Sequence, residues 1–269
     1  MLNSLRRLFA TSFLVLLLPA LPFSLTVSSC TFTNIAAAMS VSEASNISAD
    51  GRLSTLSPTN ALKFFSTIGK LKTLKRTGWV NNEISLPESV ADHMYRMSML
   101  SFAITDKDIN KDKLMKICMV HDLAEAVVGD ITPYDGVSKE EKRHLEETAL
   151  KKIVSDLECP SVGNEILHLW LEYEEGDSKE AALARQLDKF EMIVQANEYE
   201  IAEGKKQITC GESVQPSIPK RLNRFFESTK DSFTHPEIAA WADELRAERD
   251  ARLTMEDNSS TSCSGSTTS

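Results

Sequence analysis

Apolar residues recur at helical spacing through most of this chain, from Pro58 to about Phe233, and short polar breaks separate one pattern from the next. This spacing places apolar side chains along one face of an amphipathic helix. Runs that alternate apolar and polar residues and are rich in β-branched side chains, as in strands, are missing from the sequence. The sequence therefore predicts an all-α fold built as a single helical bundle.

Capping residues indicate where several of these helices begin and end. Ser57 followed by Pro58 is typical of a helix start, because the serine accepts a backbone hydrogen bond and the proline has a helical φ. Residues 110–129 are predicted to form one helix that stops at Gly129. A last helix is predicted over 236–253.

Residues 1–42 differ in composition from the rest of the chain, since they contain no Asp or Glu and are rich in Ser and Thr. Their apolar run, FLVLLLPALPF, is too short and too often interrupted by proline to predict a stable membrane span. An acid-free, serine-rich leader favours a transit peptide for the chloroplast, or another plastid. A secretory signal is the alternative, because an arginine pair precedes the apolar run, and a start at Met39 would give a cytosolic form.

The composition of the sequence also predicts how the rest of the chain is divided. Residues 43–57 are predicted to form a polar linker and residues 58–235 the folded domain. Residues 254–269 are rich in Ser and Thr and poor in apolar side chains, which predicts a disordered tail.

Charge and cysteine content exclude several classes of protein. The chain has 269 residues and a formal net charge of −9, without a long basic run, so we expect no nucleic-acid partner. An anionic substrate would therefore need a local cation to attract it against the overall field. The five cysteines form no CxxC pair, which argues against a disulfide framework or a thiolate zinc site.

The stretch VHDLAEAVVGD, residues 120–130, places polar side chains where a helix should be apolar. With a period of 3.6 residues, His121 lies on the apolar stripe that includes Leu114 and Ile117, and Glu125 lies beside it. Burying an imidazole or a carboxylate costs several kcal/mol unless a partner compensates. The candidate partners are these side chains themselves, water or a metal ion.

Two other predicted helices carry similar side chains on or beside their apolar stripes. His93 lies in PESVADHMYRMSML, and Asp188 lies in RQLDKFEM. Together with His121 and Asp122, they offer two imidazole nitrogens and two carboxylates from three separate helices. Side chains arranged in this way can reach one ion.

The order His, then His-Asp, then Asp, on helices, resembles the metal-dependent phosphohydrolases of the HD-domain superfamily. The motifs LKRTGWV, PESVADHMYRMSML, HDLAEAVVGDITP, KEE and YEEGDSKEA followed by QLDKFEM are similar to those of the HD-domain-containing protein 2 family, relatives of bacterial 5′-deoxynucleotidases. The resemblance covers about residues 58–235, and residues 1–57 lie outside it.

The resemblance implies a set of metal ligands, namely His93, His121, Asp122 and Asp188. Two nitrogens and two oxygens, without a thiolate, suit one divalent Mn, Co, Fe or Ni ion better than structural zinc, with Mg or Zn as further possibilities. Further metals would need additional histidines, and the remaining candidates, His144 and His168, are predicted to be structural or surface residues.

The resemblance also implies catalytic and substrate-binding residues. Glu125 and Asp130 would divide water positioning and proton transfer, although Glu125 could instead orient His121, and Asp130 could cap a turn. Arg76 would bind phosphate, because its planar fork matches phosphate oxygens. Trp79 would contact the sugar or base, or else be a core aromatic, and Thr132 would add a hydrogen bond to phosphate.

The implied function is a 5′-deoxynucleotidase that hydrolyses nucleoside 5′-monophosphates, with deoxynucleotides preferred. The alternatives are another HD hydrolase, acting on a cyclic nucleotide or on guanosine tetraphosphate, and a non-catalytic scaffold that binds a metal or a nucleotide. The resemblance further implies a homodimer.

Overall fold

The computed structural model describes the backbone of residues 55–209 and 221–263, and the side chains of these residues except 203–209 and 259–263. Its helices, in chain order, are α1 Pro58–Gly69, α2 Thr77–Val80, α3 Val90–Ala103, α4 Lys111–Val120, α5 Glu125–Val128, α6 Lys139–Ser155, α7 Pro160–Glu175, α8 Lys179–Thr209, α9 Asn223–Ser228 and α10 Pro236–Cys263. A short 3-10 turn, Lys70–Lys72, follows α1. Within the described ranges, the only β-type pairing is an isolated bridge between Lys75 and Ser89, so the predicted all-α class is confirmed.

Both ends of the domain carry helices whose starts agree with the sequence signals. The Ser57 hydroxyl accepts a hydrogen bond from the Asn60 amide, and Pro58 opens α1. Helix α10 begins at Pro236 but runs to Cys263. The helix thus extends ten residues past the predicted end at residue 253, into the segment for which disorder is predicted.

The helix predicted over 110–129 is not continuous. Helix α4 ends at Val120, with His121 as its C-cap, and α5 begins only at Glu125. Between them the backbone makes tight bonds of the i to i−3 type, such as that from the Glu125 amide to the Asp122 carbonyl, 3.1 Å. The prediction of one continuous amphipathic helix was therefore wrong beyond residue 120, because the chain turns at His121 and Asp122.

Helices α3, α4 and α8 pack against one another at the centre of the molecule. Their shared core includes Met97, Ile117 and Leu187, which are fully buried. A second core, containing Leu123, Leu150 and Trp170, lies among α5, α6 and α7. The junction of α4 and α5 thus lies between two cores, which fixes the position of the residues at the turn.

Several predictions fall on residues that the structure does not describe. The presequence of residues 1–42, most of the linker and residues 264–269 lie outside the described ranges. Among the described helices, none combines the length and the apolar character that a membrane crossing requires.

Candidate active site

The three central helices bring together the side chains that the sequence singled out. The Nε2 atom of His93 on α3 lies 3.2 Å from Asp188 Oδ1 on α8 and 3.8 Å from Asp122 Oδ2. The Nε2 atom of His121, at the end of α4, lies 3.1 Å from Asp122 Oδ2. Ligand atoms of His93, His121 and Asp188 all lie within 4.8 Å of one another. The predicted set of four therefore forms one cluster.

The start of α3 is fixed by a reciprocal cap, which determines where His93 points. The Ser89 hydroxyl accepts a hydrogen bond from the Asp92 amide, and the Asp92 carboxylate accepts one from the Ser89 amide. One turn into the helix, His93 lies on the buried face with Val90 and Met97, and its side chain is fully buried.

Both histidines are oriented through their Nδ1 atoms. His93 Nδ1 lies 2.6 Å from Oε2 of the buried Glu191, and His121 Nδ1 lies 3.0 Å from the carbonyl oxygen of Cys118. Since a carboxylate and a carbonyl only accept, both Nδ1 atoms carry the proton. Each Nε2 lone pair then faces the carboxylates, as in a histidine that binds a metal ion.

The cluster fits a divalent cation. The Nε2 atoms of His93 and His121 are buried and have no hydrogen-bond partner among the described residues. Burial and Arg76 oppose protonation of His93, yet Glu191 and Asp188 raise its pKa to about 9. Burial likewise opposes ionisation of Asp188, but His93, His121 and Arg76 lower its pKa to about 2. A site that raises the pKa of an imidazole and lowers the pKa of a carboxyl group favours positive charge. Its imidazole nitrogens and carboxylate oxygens are the donors of the predicted ligand set.

Glu125 lies in the first turn of α5 and is 2% exposed. Its Oε2 atom is buried and has no hydrogen-bond partner in the described part of the chain. Burial raises the pKa of this carboxyl well above its ordinary value, and the charges of Asp122 and Asp130 raise it further. A carboxyl group in this environment suits proton transfer near neutral pH.

Arg76, just before α2, reaches the same cluster. Its Nη1 atom lies 3.1 Å from Asp122 Oδ2, and its Nη2 atom lies 3.8 Å from Asp188 Oδ1. The guanidinium group therefore borders two of the predicted metal ligands, where it can also bind the oxygens of a phosphate.

Asp130 and Thr132 lie beyond α5 and bind neighbouring backbone. The Asp130 carboxylate accepts a hydrogen bond of 2.6 Å from the Thr77 amide, and the Asp130 carbonyl accepts one from the Thr77 hydroxyl. The Thr132 amide and hydroxyl both donate to Asp135. Asp130 thus ties its loop to the residue after Arg76, a contact that the local turn interpretation did not predict, while Thr132 closes a turn.

Trp79 lies in the core. Its side chain is 2% exposed and packs on Tyr199 and Phe225, with ring centroids 5.3 and 4.6 Å away. Its Nε1 atom donates to the Glu88 carboxylate at 2.8 Å. Of the two interpretations of Trp79, the structure favours the core aromatic.

Sequence reasoning missed residues that support the cluster. Glu191, three residues after Asp188 on α8, binds His93 and also accepts from Arg96 Nε at 2.7 Å. The Tyr173 hydroxyl donates to Asp188 Oδ2 at 3.2 Å, and its ring lies 5.0 Å from that of His121. The spacing of Asp188 and Glu191, one helical turn apart, could have indicated Glu191. Nothing in the local sequence indicates Tyr173.

The two other candidate histidines lie away from this cluster. His144 on α6 and His168 on α7 are both exposed, and the side chain of His168 keeps 81% of its accessible surface. Of the two predicted alternatives, structural or surface, the structure favours the surface for both residues.

Comparison with known proteins identifies the family to which this arrangement belongs. The model of the HD domain family matches residues 68–224. This range includes all four clustered side chains, together with Arg76, Glu125 and Asp130. The chain belongs to the HD domain family.

Within that family, this chain is similar to proteins named 5′-deoxynucleotidase HDDC2. The protein of that name from Danio rerio is 47% identical over 71% of this chain and 88% of its own length. The human protein is 44% identical over 71% of this chain and 87% of its own length. A solved structure from Pyrococcus horikoshii OT3 covers 69% of this chain and 96% of its own, with 30% identity and a TM-score of 0.53.

Proposed function

We propose that this protein is a metal-dependent phosphoric monoester hydrolase, a 5′-deoxynucleotidase that releases phosphate from deoxynucleoside 5′-monophosphates. One observation carries the proposal. Two buried histidine Nε2 atoms, which have no hydrogen-bond partner among the residues that the structure describes, face Asp122 and Asp188 and lie next to Arg76. The names of the HD-domain relatives support the choice of substrate.

His93, His121, Asp122 and Asp188 would hold one divalent ion. Because the set has no thiolate, Mn²⁺, Co²⁺ or Fe²⁺ suits it best, and Mg²⁺ or Zn²⁺ is the further possibility. When bound, such an ion supplies positive charge for phosphoryl oxygens and lowers the pKa of a water molecule.

The chain's own residues would carry out the remaining steps. Arg76 binds a phosphoryl oxygen and neutralises charge that develops in the transition state. Glu125, which is buried and has one unpartnered oxygen, holds the attacking water or exchanges a proton with it. Asp130, whose carboxylate is fixed by the bond from the Thr77 amide, would be the second carboxylate of the pair and assist proton transfer to the leaving oxygen.

The proposal is tested by phosphate release from the full-length protein, stripped of metal and resupplied with Mn²⁺, Co²⁺, Mg²⁺ or Zn²⁺. We expect release from deoxynucleoside 5′-monophosphates, less from the ribose forms, and none from cyclic nucleotides or guanosine tetraphosphate. His121→Ala should abolish release, and His168→Ala, at an exposed histidine, should not. Metal-dependent release only from the cyclic or tetraphosphate substrates would contradict the proposal.

We also propose that two copies associate through α3. Tyr95, Met99 and Phe102 recur at helical spacing along its outer face and are 64%, 48% and 61% exposed. An apolar stripe of this kind is typical of an interface. Light scattering of the wild type and of Phe102→Asp tests this proposal, because a dimer that uses the stripe should dissociate in the variant.

For localisation, we propose import into a plastid directed by residues 1–42. The support is the acid-free, Ser- and Thr-rich composition of this segment. A fluorescent protein fused to residues 1–57 should enter plastids, whereas one fused to the chain beginning at Met39 should stay in the cytosol. Secretion of the first fusion would contradict the proposal.

A further inference from the structure

Helix α6 carries a charged pair, Lys142 and Glu146, on the face that packs against α5, the helix that contains Glu125. Ala149 and Leu150 of α6 lie in the core that also contains Leu123 and Ala126. Counting back by helical turns along that face leads to Glu146 and then to Lys142, whose Nζ atom lies 3.5 Å from Glu146 Oε1. The first turns of this face therefore extend from the core to the edge of the active site.

Neither residue of this pair behaves as an ordinary surface charge. The side chain of Glu146 is 10% exposed, and burial raises its pKa to about 7. The side chain of Lys142 is 37% exposed, and Glu146, Asp122, Glu125 and Asp130 raise its pKa against the effect of burial. The ammonium group thus lies within the electrostatic range of three active-site carboxylates.

Binding of a dianionic phosphate would be favoured by a cation in addition to the proposed metal ion and Arg76. The site is lined by carboxylates in a protein of net charge −9, and its guanidinium group, Arg76, already contacts Asp122 and Asp188. Lys142 lies on α6, whereas Arg76 lies just before α2, so the two cationic side chains come from different elements. Its three rotatable N–H donors suit a phosphate oxygen.

We propose that Lys142 binds the phosphate of the substrate and that Glu146 is a positioning residue for it. This inference rests on the proposed function. The ion pair with Glu146, 3.5 Å between Nζ and Oε1, favours lysine rotamers that keep the ammonium group beside α6. Two cationic side chains on different elements, Arg76 and Lys142, would then bind the same phosphate.

The test compares Lys142→Gln, Lys142→Arg and a matched control, Lys139→Gln, at an exposed lysine one turn earlier on the same helix. In the metal-loaded, full-length protein, Lys142→Gln should lower kcat/KM for a deoxynucleotide by about 100-fold and weaken binding of inorganic phosphate in calorimetry by about 10-fold. Lys142→Arg should retain most of the phosphate affinity, and Lys139→Gln should match the wild type. A value of kcat/KM for Lys142→Gln within about twofold of the wild type would overturn the proposal, whatever its melting temperature.

Positioning by Glu146 is tested through its dependence on Lys142. Glu146→Gln should raise KM by about fivefold in the wild type and have no further effect in the Lys142→Gln background. A full, additive effect in that background would show that Glu146 acts by another route.

Failure of the proposed function would be distinguishable from failure of this inference. If the wild type released no phosphate from any monophosphate, the substrate class would be wrong, and calorimetry with inorganic phosphate would still decide the role of Lys142. Loss of phosphate binding in Lys142→Gln but not in Lys139→Gln would support the lysine. Unchanged binding, or no binding by the wild type, would overturn it.

Discussion

At the scale of single residues, the site contains ionisable side chains whose burial costs free energy but whose proposed roles require them. Glu125 illustrates this, because its buried carboxyl group lies close to Asp122 and Asp130. Repulsion of this kind makes the ionised form unfavourable in the folded protein. The unfavourable burial of Glu125 is therefore consistent with its proposed catalytic role and not with a stabilising one.

Replacement of Glu125 by Gln should therefore inactivate the protein and stabilise it. We expect kcat/KM to fall by at least about 100-fold. Because the folded-state pKa of Glu125 is raised, its cost to stability grows as the pH rises above the ordinary value of 4.5. The metal-free variant should then melt about 2–4 °C above the wild type near pH 8, and this difference should vanish toward pH 4.5. A melting temperature below that of the wild type at both pH values would contradict this account; the exposed Glu140→Gln serves as the control.

Glu191 is the residue that we expect to determine metal affinity without binding the ion. Its carboxylate accepts a hydrogen bond from His93 Nδ1, which orients Nε2 toward the site. Glu191→Gln should weaken metal binding by about 10- to 100-fold, measured by competition with a chelator. Glu198→Gln is the matched control, since both carboxylates bind Arg96 but Glu198 is exposed. Equal metal affinity in the two variants would exclude the proposed role of Glu191.

At the scale of elements, the break between α4 and α5 is what the sequence did not reveal. The apolar spacing continues through the His-Asp pair to Val128, so periodicity alone predicts one helix. The break follows from tertiary contacts, since His121 and Asp122 both turn toward His93 and Asp188, and a straight helix would point them about 100° apart. The side chains that cluster were identifiable from the sequence, and the turn that brings them together was not.

The end of α5 depends on one glycine. Gly129 has φ 81° and ψ 169°, a conformation that is almost restricted to glycine. Gly129→Ala should lower the free energy of unfolding by about 1–3 kcal/mol and should reduce activity by displacing the adjacent Asp130. Gly69→Ala is the control in a helical conformation, with open space around its position. Denaturant titration measures both, and equal stability of the two variants would contradict the conformational argument.

At the scale of the whole molecule, a buried ion network joins α8 to α10. Both carboxylate oxygens of Glu200 accept from Arg249 at 2.8 Å, Arg252 adds a bond of 2.9 Å, and the Leu222 amide donates at 2.6 Å. The chain on both sides of residues 210–220 is thus attached to one carboxylate. A network of this kind is not predictable from a sequence, because its members are separated by up to 52 residues.

Removing this charge should destabilise the fold in a manner that depends on pH. Glu200→Gln leaves two arginines without their buried partner, which should cost about 3 kcal/mol near neutral pH. Although burial opposes ionisation, the bonds from Arg249, Leu222 and Arg252 hold the pKa of Glu200 below 4.5. The contribution is therefore complete above pH 4.5 and is lost as the pH falls through the lower, folded-state value.

Urea titrations of wild type and Glu200→Gln across this pH range measure the effect. Asp243→Asn is the control, because its ion pair with Arg246 is exposed and should contribute less than about 0.5 kcal/mol. A difference between wild type and Glu200→Gln that stays constant from neutral to acid pH would contradict the linkage.

The central claim is that side chains from three helices form one metal centre. Anomalous diffraction from crystals of the full-length protein soaked in Mn²⁺ or Co²⁺ tests this claim most directly. We predict one peak, bounded by Nε2 of His93, Nε2 of His121 and the carboxylates of Asp122 and Asp188. Ordered crystals with no peak at that position, or with peaks only at other acidic side chains, would contradict the account.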